Sequence, residues 1–141
     1  IDLEGSIEKT KWSYNQGTMI GANVLLYRIT GEAKYLHRAE NIADAALKYY
    51  SENDALMKQP AYFNAIFFKN LLLLKAENHD HTYTQHIQAY ADQVWKTKRD
   101  PITGLFKFSG ADQPVSLLEQ AAMVQIYASL AWSPGHDKDL A

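Results

Sequence analysis

Three stretches of this chain read as helices that are apolar all the way round, and two amphipathic helices alternate with them. The all-round apolar segments lie at about 13–29, 61–77 and 117–132, and the amphipathic ones at about 33–50 and 83–98. A helix without a polar face belongs in an interior, so these segments need neighbours on every side. An amphipathic helix needs cover on one face only. The alternation therefore calls for an inner row of helices backed by an outer row. No segment carries a convincing period of two residues, so the fold class is all-α.

The boundaries follow from local chemistry. Ser13-x-x-Gln16, Thr82-x-x-Gln85 and Ser116-x-x-Glu119 each fit a capping box, in which the hydroxyl takes an early helix N–H and the fourth side chain reaches back. Thr30-Gly31 offers a left-handed stop, and Pro60 suits the first turn of a helix. Gly17 and Gly21, four residues apart, leave a smooth strip for a close neighbour. Leu36, Ala39, Ala43, Ala46, Leu47 and Tyr50 share one stripe, as do Tyr83, Ile87, Tyr90, Ala91 and Val94. Asp100-Pro101-Ile102-Thr103-Gly104 is a turn signal inside a long connection.

Inner helices repeat at uneven, long intervals, starting near Ser13, Pro60 and Ser116. Tetratricopeptide-type arrays repeat at a shorter, regular period, so paired inner and outer helices of a closed toroid fit better. Residues 1–11 read as a loop or frayed start, 12–133 as a partial toroid and 134–141 as a polar tail. The chain opens at Ile1 without an initiator methionine, as expected of a processed product or a fragment.

Composition excludes several function classes. With 141 residues, a net charge of −2 and no basic stripe, nothing points to nucleic acid. No apolar run is long enough to span a bilayer, and Leu71 to Leu74 are flanked by Lys69 and Lys75. The absence of cysteine excludes disulfides and thiolate chemistry but leaves the compartment open: secreted, cell-surface and bacterial cytoplasmic locations all fit. His79-Asp80-His81 lacks a third placed ligand and reads as a solvated turn, so no metal and no cofactor is expected. His37, His86 and His136 fall on wet faces or in the tail.

Loop lengths locate the candidate site. Inner-to-outer connections are brief, whereas outer-to-inner ones (51–59 and 99–115) are long. In an antiparallel stack the long loops share the face that holds the N-termini of the inner helices. Long loops on a rigid scaffold are where sites are built. Trp12, Tyr14, Asn15, Gln16, Tyr62, Phe63, Asn64, Phe106, Phe108, Glu119 and Gln120 converge there. Aromatic faces stack on pyranose rings, and amides bond hydroxyls as both donor and acceptor. Capping alone would account for Gln16 and Glu119, and helical spacing favours core over site for Tyr62, Phe63 and Phe67. Glycosidases need two carboxylates, and only Glu119 stands on this face; Glu52, Asp54, Asp100 and Asp112 lie in flanking loops.

Lys11-Trp12-Ser13-Tyr14-Asn15-Gln16-Gly17-Thr18-Met19-Ile20-Gly21-Ala22 resembles the Tyr-Asn-Gln-Gly segment of glycoside hydrolase family 76, the endo-α-1,6-mannanase family. The stretches Tyr27 to Gly31, Tyr62 to Phe68 and Leu117 to Ala122 are similar to its later segments. The resemblance implies roughly half of an (α/α)6 toroid, namely its C-terminal part, with retaining hydrolysis of α-1,6-mannan along a cleft on one face. It implies cleft-lining, substrate-binding roles for Trp12, Tyr14, Asn15, Gln16, Tyr62, Asn64, Glu119 and Gln120. The family's adjacent Asp-Asp catalytic pair lies upstream of the Tyr-Asn-Gln-Gly segment, and no residue here matches it. No catalytic residue is therefore assigned, and the chain alone is expected to be inactive. The expected partners are an α-mannan-like polysaccharide or oligosaccharide, and a second copy or the missing N-terminal half, because a partial ring leaves inner helices uncovered. Two other functions fit the same pattern: a non-catalytic helical-repeat module that binds protein, and another toroid sugar enzyme such as an epimerase or unsaturated uronyl hydrolase.

Overall fold

The computed structural model describes residues 5–7, 9–110 and 113–132. The expected polar tail at 134–141, with His136, and the loop acid Asp112 lie outside the described residues, as do 1–4 and 8. The described residues form α1 (Ser13–Thr30), α2 (Ala33–Ser51), α3 (Ala61–Asn78), α4 (Thr82–Lys98) and α5 (Leu117–Leu130). The expected loop at 51–59 is instead a 3-10 helix, Glu52–Lys58, entered directly from α2. Among the described residues there is no strand, only an isolated antiparallel bridge between Arg99 and Phe106. None of their helices is long and apolar enough to cross a membrane.

Helix α3 is the centre of the arrangement. It packs against α1 on one side and α5 on the other, and α2 and α4 back this row as an outer layer. Contact between α1 and α3 is close because Gly17 faces the α3 backbone: a Cβ there would lie 2.6 Å from the Phe67 Cα. The core gathers Ile20 and Val24 from α1, Phe67, Phe68 and Leu71 to Leu74 from α3, and Met123 and Ile126 from α5. The outer helices contribute one stripe each: Ala39, Ala43, Ala46, Leu47 and Tyr50 from α2, and Tyr83, Ile87, Tyr90, Ala91 and Val94 from α4. Each large apolar side chain so buried contributes roughly 1.5–3 kcal/mol.

The inner helices are covered on only part of their circumference. Met19, Leu26 and Ile29 on α1, Ile66 on α3, and Leu117 and Val124 on α5 stay exposed, with Ile29 at 81% and Leu117 at 82%. Their all-round apolar character thus exceeds what this chain buries.

Helix ends depart from the capping boxes. The N-cap of α1 is Trp12, not Ser13, and the Ser13 hydroxyl is buried without a partner. Its N–H is taken instead by Gln59 Oε1 at 3.0 Å. Thr82 donates its N–H to Asp80 Oδ1 at 2.8 Å, and no side chain caps α4 in the manner of a box. Pro60 sits one position earlier than a first-turn residue, as the N-cap of α3. Gly31 does close α1, at φ 71° with its N–H on the Tyr27 carbonyl at 2.8 Å.

Candidate functional site

Hydrogen bonds draw the N-termini of α1, α3 and α5 together beside the 3-10 helix and the described part of the connection that follows α4. Side chains stitch this face across long sequence separations. Gln59 binds the Ser13 amide and, through Nε2, the Lys11 carbonyl at 3.4 Å. Tyr50 donates to that same carbonyl at 2.7 Å, and burial pushes its phenol up to about 12. Glu119 Oε2 accepts the Ala61 N–H at 3.0 Å, so α5 caps α3 rather than itself. This is the correction to the Ser116 box, whose hydroxyl makes no cap bond.

An aromatic cluster stands at the mouth. Phe63 is its hub: Tyr14 approaches it at 4.4 Å, Tyr62 at 4.8 Å and Trp12 at 5.4 Å between ring centroids. All of these rings are half-buried, whereas Phe67, one turn deeper, is fully enclosed. Asn15 is exposed beside them. Gln16 turns toward α2, where it lines a groove of about 420 Å³ with Lys11, Arg38, Asn41 and Tyr49.

The remaining expected site residues face inward. Asn64 is fully buried and donates Nδ2–H to the Leu56 carbonyl at 2.9 Å, tying α3 to the 3-10 helix. Gln120 clasps the Phe106 peptide on both sides, accepting its N–H at 2.9 Å and donating to its carbonyl at 2.7 Å. Both amides position the mouth rather than stand open in it. Gln59 and Phe63 are the residues that local sequence reasoning underweighted. Gln59 lies in a polar loop with no pattern to mark it, and Phe63 has the spacing of a core residue.

Burial raises the Glu119 carboxyl above the ordinary glutamate value, and the hydrogen bond from the Ala61 amide only partly offsets this. A raised folded-state value means the folded chain holds that proton more tightly than the unfolded chain does. The contribution of Glu119 to stability therefore falls as pH rises through the carboxylate range. Glu119→Gln keeps an acceptor for Ala61 but carries no charge. Its urea midpoint is expected to gain on the wild type between about pH 4 and about pH 7. A difference that shrinks as pH rises would show that the hydrogen bond and the α3 dipole outweigh desolvation. Asp100 is opposite in sign: the Lys107 ammonium at 2.7 Å and the Thr103 and Ile102 amides hold it well below the usual carboxylate range.

Among the described residues, no three His, Cys, Asp or Glu side chains gather as metal ligands. His79, the left-handed C-cap of α3, gives its N–H to the Lys75 carbonyl at 2.8 Å.

Comparison with known proteins places this geometry. None of the curated protein sequences compared with the chain matches it. A solved family 76 glycoside hydrolase from a bovine Bacteroides thetaiotaomicron strain is similar to it, at 30% identity and a TM-score of 0.70. The match covers 92% of this chain and 32% of that one, so the chain spans about a third of the solved enzyme. The sequence model described as glycosyl hydrolase family 76 matches residues 2–136, which takes in all five α-helices of the described residues and the mouth residues named above. With nearly the full length matched in sequence and the helical arrangement shared with a solved member, this chain belongs to glycosyl hydrolase family 76.

Proposed function

We propose that this chain supplies one wall of the carbohydrate cleft of a family 76 glycoside hydrolase, taking an α-1,6-mannan-like polysaccharide. The observation that carries this is the mouth cluster: Trp12, Tyr14 and Tyr62 around Phe63 at the inner-helix N-termini, with Asn15 exposed beside them and Gln16 turned into the adjoining groove against α2. Fixed half-open rings offer stacking faces, and the amides supply hydroxyl partners of both signs. Asn64, Glu119 and Gln120 complete the wall by holding α3, α5 and the 99–116 connection in register. Helix N-termini add donor N–H groups and partial positive charge on the same face.

The chain contributes binding and not bond cleavage. A retaining glycosidase needs two carboxyls about 5–5.5 Å apart. Among the described residues, the mouth carboxyl of Glu119 is already engaged with the Ala61 N–H. Calorimetric titration with α-1,6-mannooligosaccharides, paired with an assay for reducing ends, tests the reading. Heat of binding without released ends is expected. A well-folded sample that gives no heat contradicts the substrate class, and released ends contradict the incomplete catalytic outfit.

The exposed apolar sides of α1, α3 and α5 form the complementary part of the proposal. In the isolated chain we expect Met19, Leu26, Ile29, Leu117 and Val124 to drive self-association, since apolar surface of this extent marks an interface. Size exclusion with light scattering should report a mass above that of the monomer. A single sharp monomer peak counts against it.

A further inference from the structure

A second group of carbohydrate-type side chains lies outside the mouth, along the solvent side of α4. Gln88, Asp92, Trp95 and Arg99 succeed one another at spacings of four, three and four residues, so they form one ridge. At 1.5 Å per residue, that ridge is about 16 Å long. Gln88 Nε2 donates to Asp92 Oδ1 at 2.8 Å, which orients both groups and leaves an amide oxygen and a carboxylate oxygen uncommitted. Trp95 is 51% exposed, large for an indole on a helix whose opposite stripe is fully buried.

The ring is held in place. The Arg99 guanidinium lies over it at 4.4 Å, and the Tyr127 and Phe106 rings meet it at 5.8 Å and 6.2 Å. Tyr127 is itself pinned by its hydroxyl on the Ala91 carbonyl at 3.0 Å. Arg99 packs over a tight turn, with Gly104 at φ 75°, where an added Cβ would come within 3.1 Å of Nη2. The same turn runs to Phe106, which Gln120 clasps at the start of α5. The ridge thus continues into the rim of the mouth. An exposed aromatic held in one orientation, with donors and acceptors on both sides along a line, is the chemistry that recognises a sugar chain. A protein interface of ordinary size needs about 800 Å² per partner with an apolar centre. Beyond its Phe106 and Tyr127 contacts, Trp95 is bordered along α4 by the charged Asp92, Lys96 and Arg99.

We propose that Gln88, Asp92, Trp95 and Arg99 form a second carbohydrate-binding site, which holds a run of polysaccharide alongside the mouth. It rests on the carbohydrate reading of the mouth for its ligand class and on its own residues for its place. Two sites on one rigid body let a long chain bind with an avidity that a short one lacks.

The test compares polymeric α-1,6-mannan with α-1,6-mannobiose, titrated into the wild-type chain and into Trp95→Ala, Trp95→Phe and Trp12→Ala. Trp95→Ala is expected to lose about tenfold in affinity for the polymer while disaccharide affinity is unchanged, with Trp95→Phe restoring most of the loss. Trp95→Ala that binds polymer like the wild type overturns the site. So does a Trp95→Ala chain that changes only its mass by light scattering, since that makes the ridge a protein contact. Should Trp95→Ala unfold, the Gln88→Ala/Asp92→Ala variant takes the same comparison, and retained polymer affinity there overturns the site as well. Loss with Trp12→Ala but not Trp95→Ala leaves the mouth standing and removes the ridge. Loss with Trp95→Ala alone does the reverse, and a wild-type chain that binds neither probe removes both.

Discussion

Gly17→Ala is expected to destabilise the chain by up to about 2 kcal/mol net, although alanine is the better helix former. The added Cβ would lie 2.6 Å from Phe67 Cα, 3.0 Å from its N and 3.1 Å from the Ile66 carbonyl oxygen. All three are backbone atoms of α3, so no side chain can rotate away. Relief requires α1 and α3 to separate along the most extensive contact of the fold. Overpacking of this kind costs typically 1–3 kcal/mol and sometimes more, against about 1 kcal/mol gained in helix propensity. Gly31→Ala is the control. Nothing lies within 4 Å of its added Cβ, but φ is 71°, and the expected loss is about 1 kcal/mol from backbone strain alone. Urea unfolding of both variants checks the ranking. A Gly17→Ala chain as stable as the wild type would mean that the helices do not meet at this glycine.

Gln120→Leu is expected to cost about 2–4 kcal/mol, because it strips the part-buried Phe106 peptide of both its hydrogen bonds. The damage should be local first. Phe106 stacks on Tyr127 at 6.0 Å, and the turn from Arg99 to Phe106 depends on the same anchor. Amide exchange at Phe106 should accelerate together with the loss in urea midpoint. Gln120→Glu separates the two bonds: near neutral pH it keeps the acceptor for the Phe106 N–H and loses the donor to its carbonyl. An intermediate loss is expected. Unchanged stability in Gln120→Leu would mean that this amide is free for a ligand instead of acting as a clasp.

The two-layer helical architecture was legible because hydrophobic periodicity is a local property. Burial on α4 falls on Tyr83, Ile87, Tyr90, Ala91 and Val94, the stripe that three-and-four spacing picks out. Gly31 as a stop was legible for the same reason. The capping boxes at Ser13 and Ser116 were not, because their partners proved to be distant, and at Thr82 the amide goes to the neighbouring Asp80 instead. The Ser13 amide goes to Gln59, 46 residues away, and Glu119 reaches Ala61 across 58 residues. A motif four residues wide cannot register such competition. The 3-10 helix Glu52–Lys58 was not legible because seven residues, with Ala55, Leu56 and Met57 in one run, are too few to show an apolar period.

The candidate site was legible as a palette and not as a geometry. Trp12, Tyr14 and Tyr62 converge, but they do so on Phe63, whose spacing marks it as core. Asn64 and Gln120 carry the right chemistry, yet their amides hold backbone groups. Amides in a sequence do not disclose whether a peptide will sit beside them.

The mouth built on Trp12 is, on the proposed reading, a carbohydrate wall. Calorimetric titration of wild type and Trp12→Ala with α-1,6-mannotetraose tests it most directly, with circular dichroism showing both to be folded. Loss of the indole from the Phe63 cluster should weaken binding about tenfold, as removal of an aromatic stacking face does. Equal affinity in the two proteins, or no binding by either, would rule out a carbohydrate wall at Trp12.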